Sequence, residues 1–128
     1  MATMTKVAVR SLDRPDERRD IPGGHVDVVS VAGHGIDRAV FEPGWRWSES
    51  VRPIAGTELC EFEHFGYIVS GRLHIEMRDG SSADLGAGDA MLCPPGHDAW
   101  VVGDEPCVMI DVGSQATEYA KASGSARS

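Results

Sequence analysis

The sequence has no apolar run near the roughly 18 residues that a membrane-spanning helix needs, and its N-terminus lacks an apolar signal-peptide core. A cytoplasmic protein is therefore expected. Basic residues are in short supply: 12 Lys and Arg stand against 20 Asp and Glu, for a net charge of −8. Binding nucleic acid or an anionic membrane takes clustered Lys and Arg, so neither partner is expected. The one basic cluster, Arg14 to Arg19, is interleaved with Asp13, Asp16 and Glu17 and reads as a solvated segment. Cysteine is scarce as well. Cys60, Cys93 and Cys107 are odd in number and irregular in spacing, which suits reduced thiols better than a disulfide framework. There is no phosphate loop, since Gly86-Ala87-Gly88-Asp89 reads as a hairpin turn and not as a strand-to-helix cradle. Helical periodicity, internal repeats and interdomain linkers are also missing.

What is present is a series of short extended runs punctuated by glycine and proline. With 41% hydrophobic and 25% charged residues, the 128-residue chain fits one domain with its own core. Strands are expected at Val26 to Val31, Ile36 to Phe41, Glu58 to His64, Tyr67 to Val69, Arg72 to Arg78, Ala90 to Cys93, Trp100 to Val102 and Cys107 to Val112. Asp79-Gly80 is the strongest hairpin signal, and Ile21-Pro22-Gly23-Gly24, Glu42-Pro43-Gly44 and Pro94-Pro95-Gly96 are further turns. Residues 49–57 read as a loop. Residues 1–20 form an N-terminal arm or an edge strand around Lys6 to Val9. Residues 21–113 form the barrel, and 114–128 a polar tail with a short helix near Glu118 to Lys121 or disorder. Many short strands with turns about every eight to twelve residues predict an all-β sandwich or barrel.

Strand side chains alternate between faces. This places Glu58, Cys60, Phe62 and His64 together, and puts Trp45 and Trp47 on a shared face, either closing the core or walling a ligand pocket.

Gly71, then Gly88 with five residues before Pro94, then Gly96 resemble the paired motifs of the cupin superfamily, in its small single-domain bacterial form. The resemblance implies a double-stranded β-helix (jelly-roll) barrel, often a homodimer, that holds a divalent metal and a small-molecule ligand inside. Counting back from Gly71 puts His64, Cys60 and Glu58 in the ligand positions of the first motif, while Arg52 replaces its opening glycine. The histidine position of the second motif falls on Ala99 and its asparagine on Gly103, with His97 two residues before Ala99.

In that frame Glu58, Cys60, His64 and His97 supply one oxygen, one sulfur and two nitrogens, a set that suits zinc and tolerates Fe(II) or Ni(II). Glu58, if not a ligand, is the expected general base. Trp45, Trp47, Phe62 and Trp100 are expected around the pocket. Asp98 either orients His97 or caps the turn. Against this stands a plainer assignment, in which Cys60, Cys93 and Cys107 are core residues, Glu58 is solvated and His97 satisfies a turn. His25, His34 and His74 are expected at the surface. A straight strand separates residues four apart by roughly 13 Å, which disfavours a Cys60–His64 nucleophile pair and requires a bend before both reach one ion. Three functions remain open: a metal-dependent enzyme, a non-catalytic ligand or metal sensor, and a structural dimerisation barrel.

Overall fold

The structure is a computed structural model that describes residues 6–113. The described residues form nine strands and two short helical turns. These are β1 (Glu17–Ile21), β2 (Gly24–Val31), β3 (His34–Phe41), α1 (Trp47–Ser50), α2 (Arg52–Ala55), β4 (His64–Ser70), β5 (Arg72–Met77), β6 (Ser82–Gly86), β7 (Ala90–Cys93), β8 (His97–Val101) and β9 (Cys107–Val112). The six-stranded sheet runs β1-β2-β3-β9-β4-β7 and the three-stranded sheet β6-β5-β8, with every pairing antiparallel. The two sheets face each other across a core that includes Val26, Phe41, Trp47, Ile68, Leu73 and Met109. Alternation explains the inward set: in β5, Leu73 and Ile75 are buried and Glu76 is exposed, and in β9, Cys107, Met109 and Asp111 are buried. This is the expected all-β jelly-roll barrel.

Several local expectations are corrected. Lys6 to Val9 forms no strand, and Val7 and Val9 are exposed. The first strand is instead β1, inside the charged stretch expected to be an arm. Its register pairs Arg19 with Val26 and Ile21 with Gly24, so Arg19 and Ile21 face inward. On the outer face Arg18 grips the buried carboxylate of Asp27 through two hydrogen bonds of 2.7 and 3.0 Å, with Arg38 3.6 Å away. These contacts hold the Asp27 carboxyl below its ordinary value, chiefly through the Arg18 hydrogen bonds. The expected loop at 49–57 holds α1 and α2, whose Trp47, Val51 and Ala55 pack into the core before Gly56, at φ 78°, stops the helix. The last of β5 and the start of β8 also shift: β5 ends at Met77, and β8 begins at His97, three residues before the expected Trp100. The helix expected near Glu118 to Lys121 lies outside the described residues. Among the described residues no helix is long and apolar enough to cross a membrane.

The outer face of β4, β7 and β9 is apolar and exposed at Phe65, Tyr67, Val69, Leu92 and Val112. The inner face carries the opposite anomaly. Asp37 and Asp111 sit opposite each other on β3 and β9, both buried, and neither Asp37 oxygen has a hydrogen-bond partner among the described residues. Burial, then repulsion from Asp111, pushes the Asp37 carboxyl well above its ordinary value, against the opposing pull of His64 and Arg19.

Two predictions come from these features. Gly71 turns at φ 79°, and a Cβ there would lie 2.2 Å from the Pro106 carbonyl oxygen, whereas Gly88, at φ 93°, has open space around it. Gly71→Ala is expected to cost about 3 kcal/mol or more of stability in denaturant unfolding, and Gly88→Ala about 1–2 kcal/mol from the backbone alone. Asp37 keeps its proton in the folded state at pH values where the unfolded chain, titrating near about 3.9, has lost it. Its contribution is therefore complete at low pH and is lost as pH rises toward the raised folded value. Asp37→Asn is expected to gain Tm over the parent progressively as pH rises from about 4 to about 8; a difference independent of pH would contradict the assignment.

Candidate metal centre

The centre is built where the chain passes from one sheet to the other. Cys60 pairs with the smaller sheet: its N–H donates to the His97 carbonyl at 2.8 Å, and Gly96 N–H donates to the Cys60 carbonyl at 2.7 Å. Four residues later His64 opens β4 in the larger sheet, opposite Cys93. The expected continuous strand from Glu58 to His64 does not form, and the crossing supplies the bend that a shared ion requires. On the other side, Pro94-Pro95-Gly96 delivers His97 as the first residue of β8, with the inward parity of Ala99 and Val101.

Cys60 Sγ and His64 Nε2 are 3.5 Å apart, and one ligand atom from each of Cys60, His64 and His97 lies within 4.8 Å of the others. All three residues are buried. The rings of His64 and His97 meet edge-on, with centroids 5.2 Å apart. The outer nitrogen of each ring is held. His64 Nδ1 is 2.5 Å from Asp111 Oδ2, whose other oxygen accepts from the Phe65 N–H at 3.0 Å. His97 Nδ1 donates to the Pro94 carbonyl at 2.7 Å. A carbonyl and a carboxylate are acceptors, so each Nδ1 carries a proton and each Nε2 is turned toward the sulfur.

Burial works against charge at Cys60, yet hydrogen bonds from His64 and His97 outweigh it and bring the thiol down to about 6. Burial likewise opposes the His97 imidazolium, but Cys60 and Cys93 raise it to about 10. Burial is outweighed at His64 too, where Asp111 and Cys60 push the ring well above its ordinary value. Cys60 is thus held as a thiolate against protonated rings, and a bound metal would take the place of the protons that face the sulfur.

The donor set fits a divalent metal. A tetrahedral zinc with ordinary bond lengths separates a thiolate sulfur from an imidazole nitrogen by roughly 3.6 Å, close to the 3.5 Å found between Cys60 and His64. Beside the two histidines lies a cavity of about 20 Å³, walled in part by Phe41, Trp45, Trp47 and Met109. That is room for about one water.

Other expected site residues lie elsewhere. Glu58 is not in the group: its side chain is 88% exposed and pairs with Arg52 at 3.2 Å, so it sits in solvent before the crossing begins. Phe62 is buried in the core but does not wall the cavity. Trp100 faces outward, between the Arg46 guanidinium at 3.9 Å and the His74 ring at 4.6 Å. Asp98 accepts from the Ser48 N–H at 3.0 Å, and the Pro94 carbonyl orients His97 in its place. Cys93 and Cys107 are buried, and Cys93 also contacts His97. His34 is exposed, His25 lies 3.7 Å from Asp27, and His74 bonds Asp84. Asp111 was not among the expected residues; its one sequence signal is an acidic residue at the inward parity of the Cys107 to Val112 strand.

Comparison with known proteins agrees with this architecture. A family model described as a cupin domain matches residues 58–113. No curated protein matches the sequence. Among solved structures, KdgF from Halomonas sp. is 21% identical with a TM-score of 0.53, over 75% of this chain and 83% of that one. A cupin-like protein from Thermotoga maritima is 19% identical with a TM-score of 0.52, over 76% of this chain and 73% of that one. The Lactobacillus farciminis oxalate decarboxylase, in a formate complex, is 17% identical with a TM-score of 0.59, over 88% of this chain and 33% of that one. The chain thus spans about a third of the decarboxylase. At these identities the likeness is one of fold, the cupin barrel, and residues 58–113 match the cupin-domain model itself.

Proposed function

We propose that the barrel holds one divalent metal, zinc in the first place, on Cys60, His64 and His97, and presents it to a small molecule. The observation that carries this reading is the convergence of three buried donors whose two histidines are each fixed at the outer nitrogen, by Asp111 and by the Pro94 carbonyl. A buried thiolate with two oriented imidazoles is the arrangement of a metal site. Three protein ligands, of which His64 and His97 wall a cavity, would leave a fourth position for water or ligand.

When bound, the metal would supply Lewis acidity toward a carbonyl or water. The chain's own residues set the surroundings. Asp111 and the Pro94 carbonyl lock the ring tautomers, while Phe41, Met109 and the two tryptophans keep bulk water away. The buried indole N–H groups of Trp45 and Trp47 have no acceptor among the described residues, and a ligand oxygen would provide one. Among the described residues no carboxylate lines the cavity, and this favours binding or sensing of the ligand over hydrolysis with a carboxylate base. Glu58, in solvent, is placed for neither role. We also assign the exposed apolar face of β4, β7 and β9 to a second copy of the chain, the homodimer that the family resemblance implies.

Purified full-length chain is expected to carry close to one equivalent of zinc by elemental analysis. Cys60→Ala and His64→Ala should each lower that at least tenfold, Asp111→Asn should weaken it by about 10- to 100-fold, and Glu58→Gln should leave it unchanged. Cobalt loading should give a thiolate charge-transfer band that Cys60→Ala abolishes. Well under one equivalent of metal, with no cobalt band, would sink the reading. Sedimentation is expected to give twice the mass of the 13.7 kDa chain, with Tyr67→Glu shifting it to the monomer; a monomeric parent contradicts the dimer.

A further inference from the structure

On one side of the barrel the sheets are not joined by backbone hydrogen bonds, because β6 ends the smaller sheet and β7 ends the larger. A second pocket, of about 180 Å³, opens at this seam, with Ile75, Met77, Ser81, Ala83, Leu85 and Met91 among its walls. Ile75 and Met91 also wall the small cavity beside His64 and His97. The two spaces therefore share a partition of two side chains. Met91 is only half-buried, and its unbranched thioether adopts many shapes at little cost, so a change of its rotamer would connect seam and centre.

The lining chemistry is one-sided. A quarter of the chain is charged, yet among the described residues no Asp, Glu, Lys or Arg lines either space. The Ser81 hydroxyl is already engaged with Asp79 at 2.6 Å. A ligand carrying a charge on its body would find no oppositely charged partner here among the described residues, which is unfavourable. The volume equals about six water molecules' share of the liquid, the size of a single substituted ring or a short branched chain. We propose that the seam pocket binds the apolar body of a neutral small molecule, whose oxygen-bearing head reaches the Cys60–His64–His97 centre past Ile75 and Met91. This rests on the metal reading for the destination of the head, but the body site stands on the pocket alone.

The test uses two probes with the same phenol head and different far ends, p-cresol and 4-hydroxybenzoate, titrated into zinc-loaded full-length protein by ligand-detected NMR. p-Cresol is expected to bind at least tenfold more tightly than 4-hydroxybenzoate. Ala83 lies opposite Ile75 in the ladder and is exposed at the pocket rim, so Ala83→Trp fills the pocket without entering the core. It is expected to weaken p-cresol at least tenfold while leaving zinc content unchanged. The smaller plug Ala83→Leu should fall between, and it keeps the series decisive if the tryptophan variant does not fold. Equal affinity for the two probes, or p-cresol binding indifferent to both plugs, overturns the proposal. Protein that takes up no zinc defeats the metal reading instead; the same probe contrast and the same plugs, run on that protein, still decide the pocket.

Discussion

The crossing between Cys60 and His64 is the constraint on which the rest of the centre depends. Cys60 is pinned by backbone hydrogen bonds to β8 and His64 by the ladder to β7, so four residues must span from one sheet to the other. That requirement removes the regular strand and turns both side chains into the same space. A straight strand would hold their Cα atoms roughly 13 Å apart, whereas the side-chain donor atoms here approach to 3.5 Å. Gly96 and the two prolines before it then set where β8 begins, and with it the inward face of His97. Each donor is thus placed by backbone pairing before any ligand is considered.

Behind the centre, polar groups continue along the inner face of the larger sheet. His64 leans on Asp111, and Asp111 sits across the ladder from Asp37. Holding two carboxylates so close in a buried strand pair is costly unless one is neutral. The arrangement leaves Asp111 bonded to His64 while burial and Asp111 favour the protonated form of Asp37. A stretch of core that packing alone would fill with valine is given over to fixing one imidazole ring.

The barrel was legible in the sequence because alternation and glycine turns report directly on strands: β9 matches its expected bounds, and the Asp79-Gly80 hairpin joins β5 to β6. Family spacing brought Cys60, His64 and His97 into view. What stayed hidden depended on tertiary pairing. β1 was obscured because its outward residues and even one inward residue, Arg19, are charged. Glu58 shares strand parity with Cys60 only if the strand continues, and it does not. Trp100 is one residue out of phase with His97 and Ala99, so once β8 starts at His97 its ring must face outward. Asp111 lies 47 residues from His64 in sequence, and only the strand order β9-β4 makes them neighbours.

The charged character of β1 has a meaning for the molecule in a crowded solution. Among the described residues β1 forms one edge of the large sheet, and an open edge is a template on which another chain can add a strand. Glu17, Arg18, Arg19 and Asp20 fill that edge with charges of both signs, several of them already committed to partners within the chain. The opposite edge, β7, is only four residues long and runs straight into Pro94-Pro95, which have no N–H to offer. The residues that disguise the first strand as a loop therefore guard against edge-to-edge aggregation.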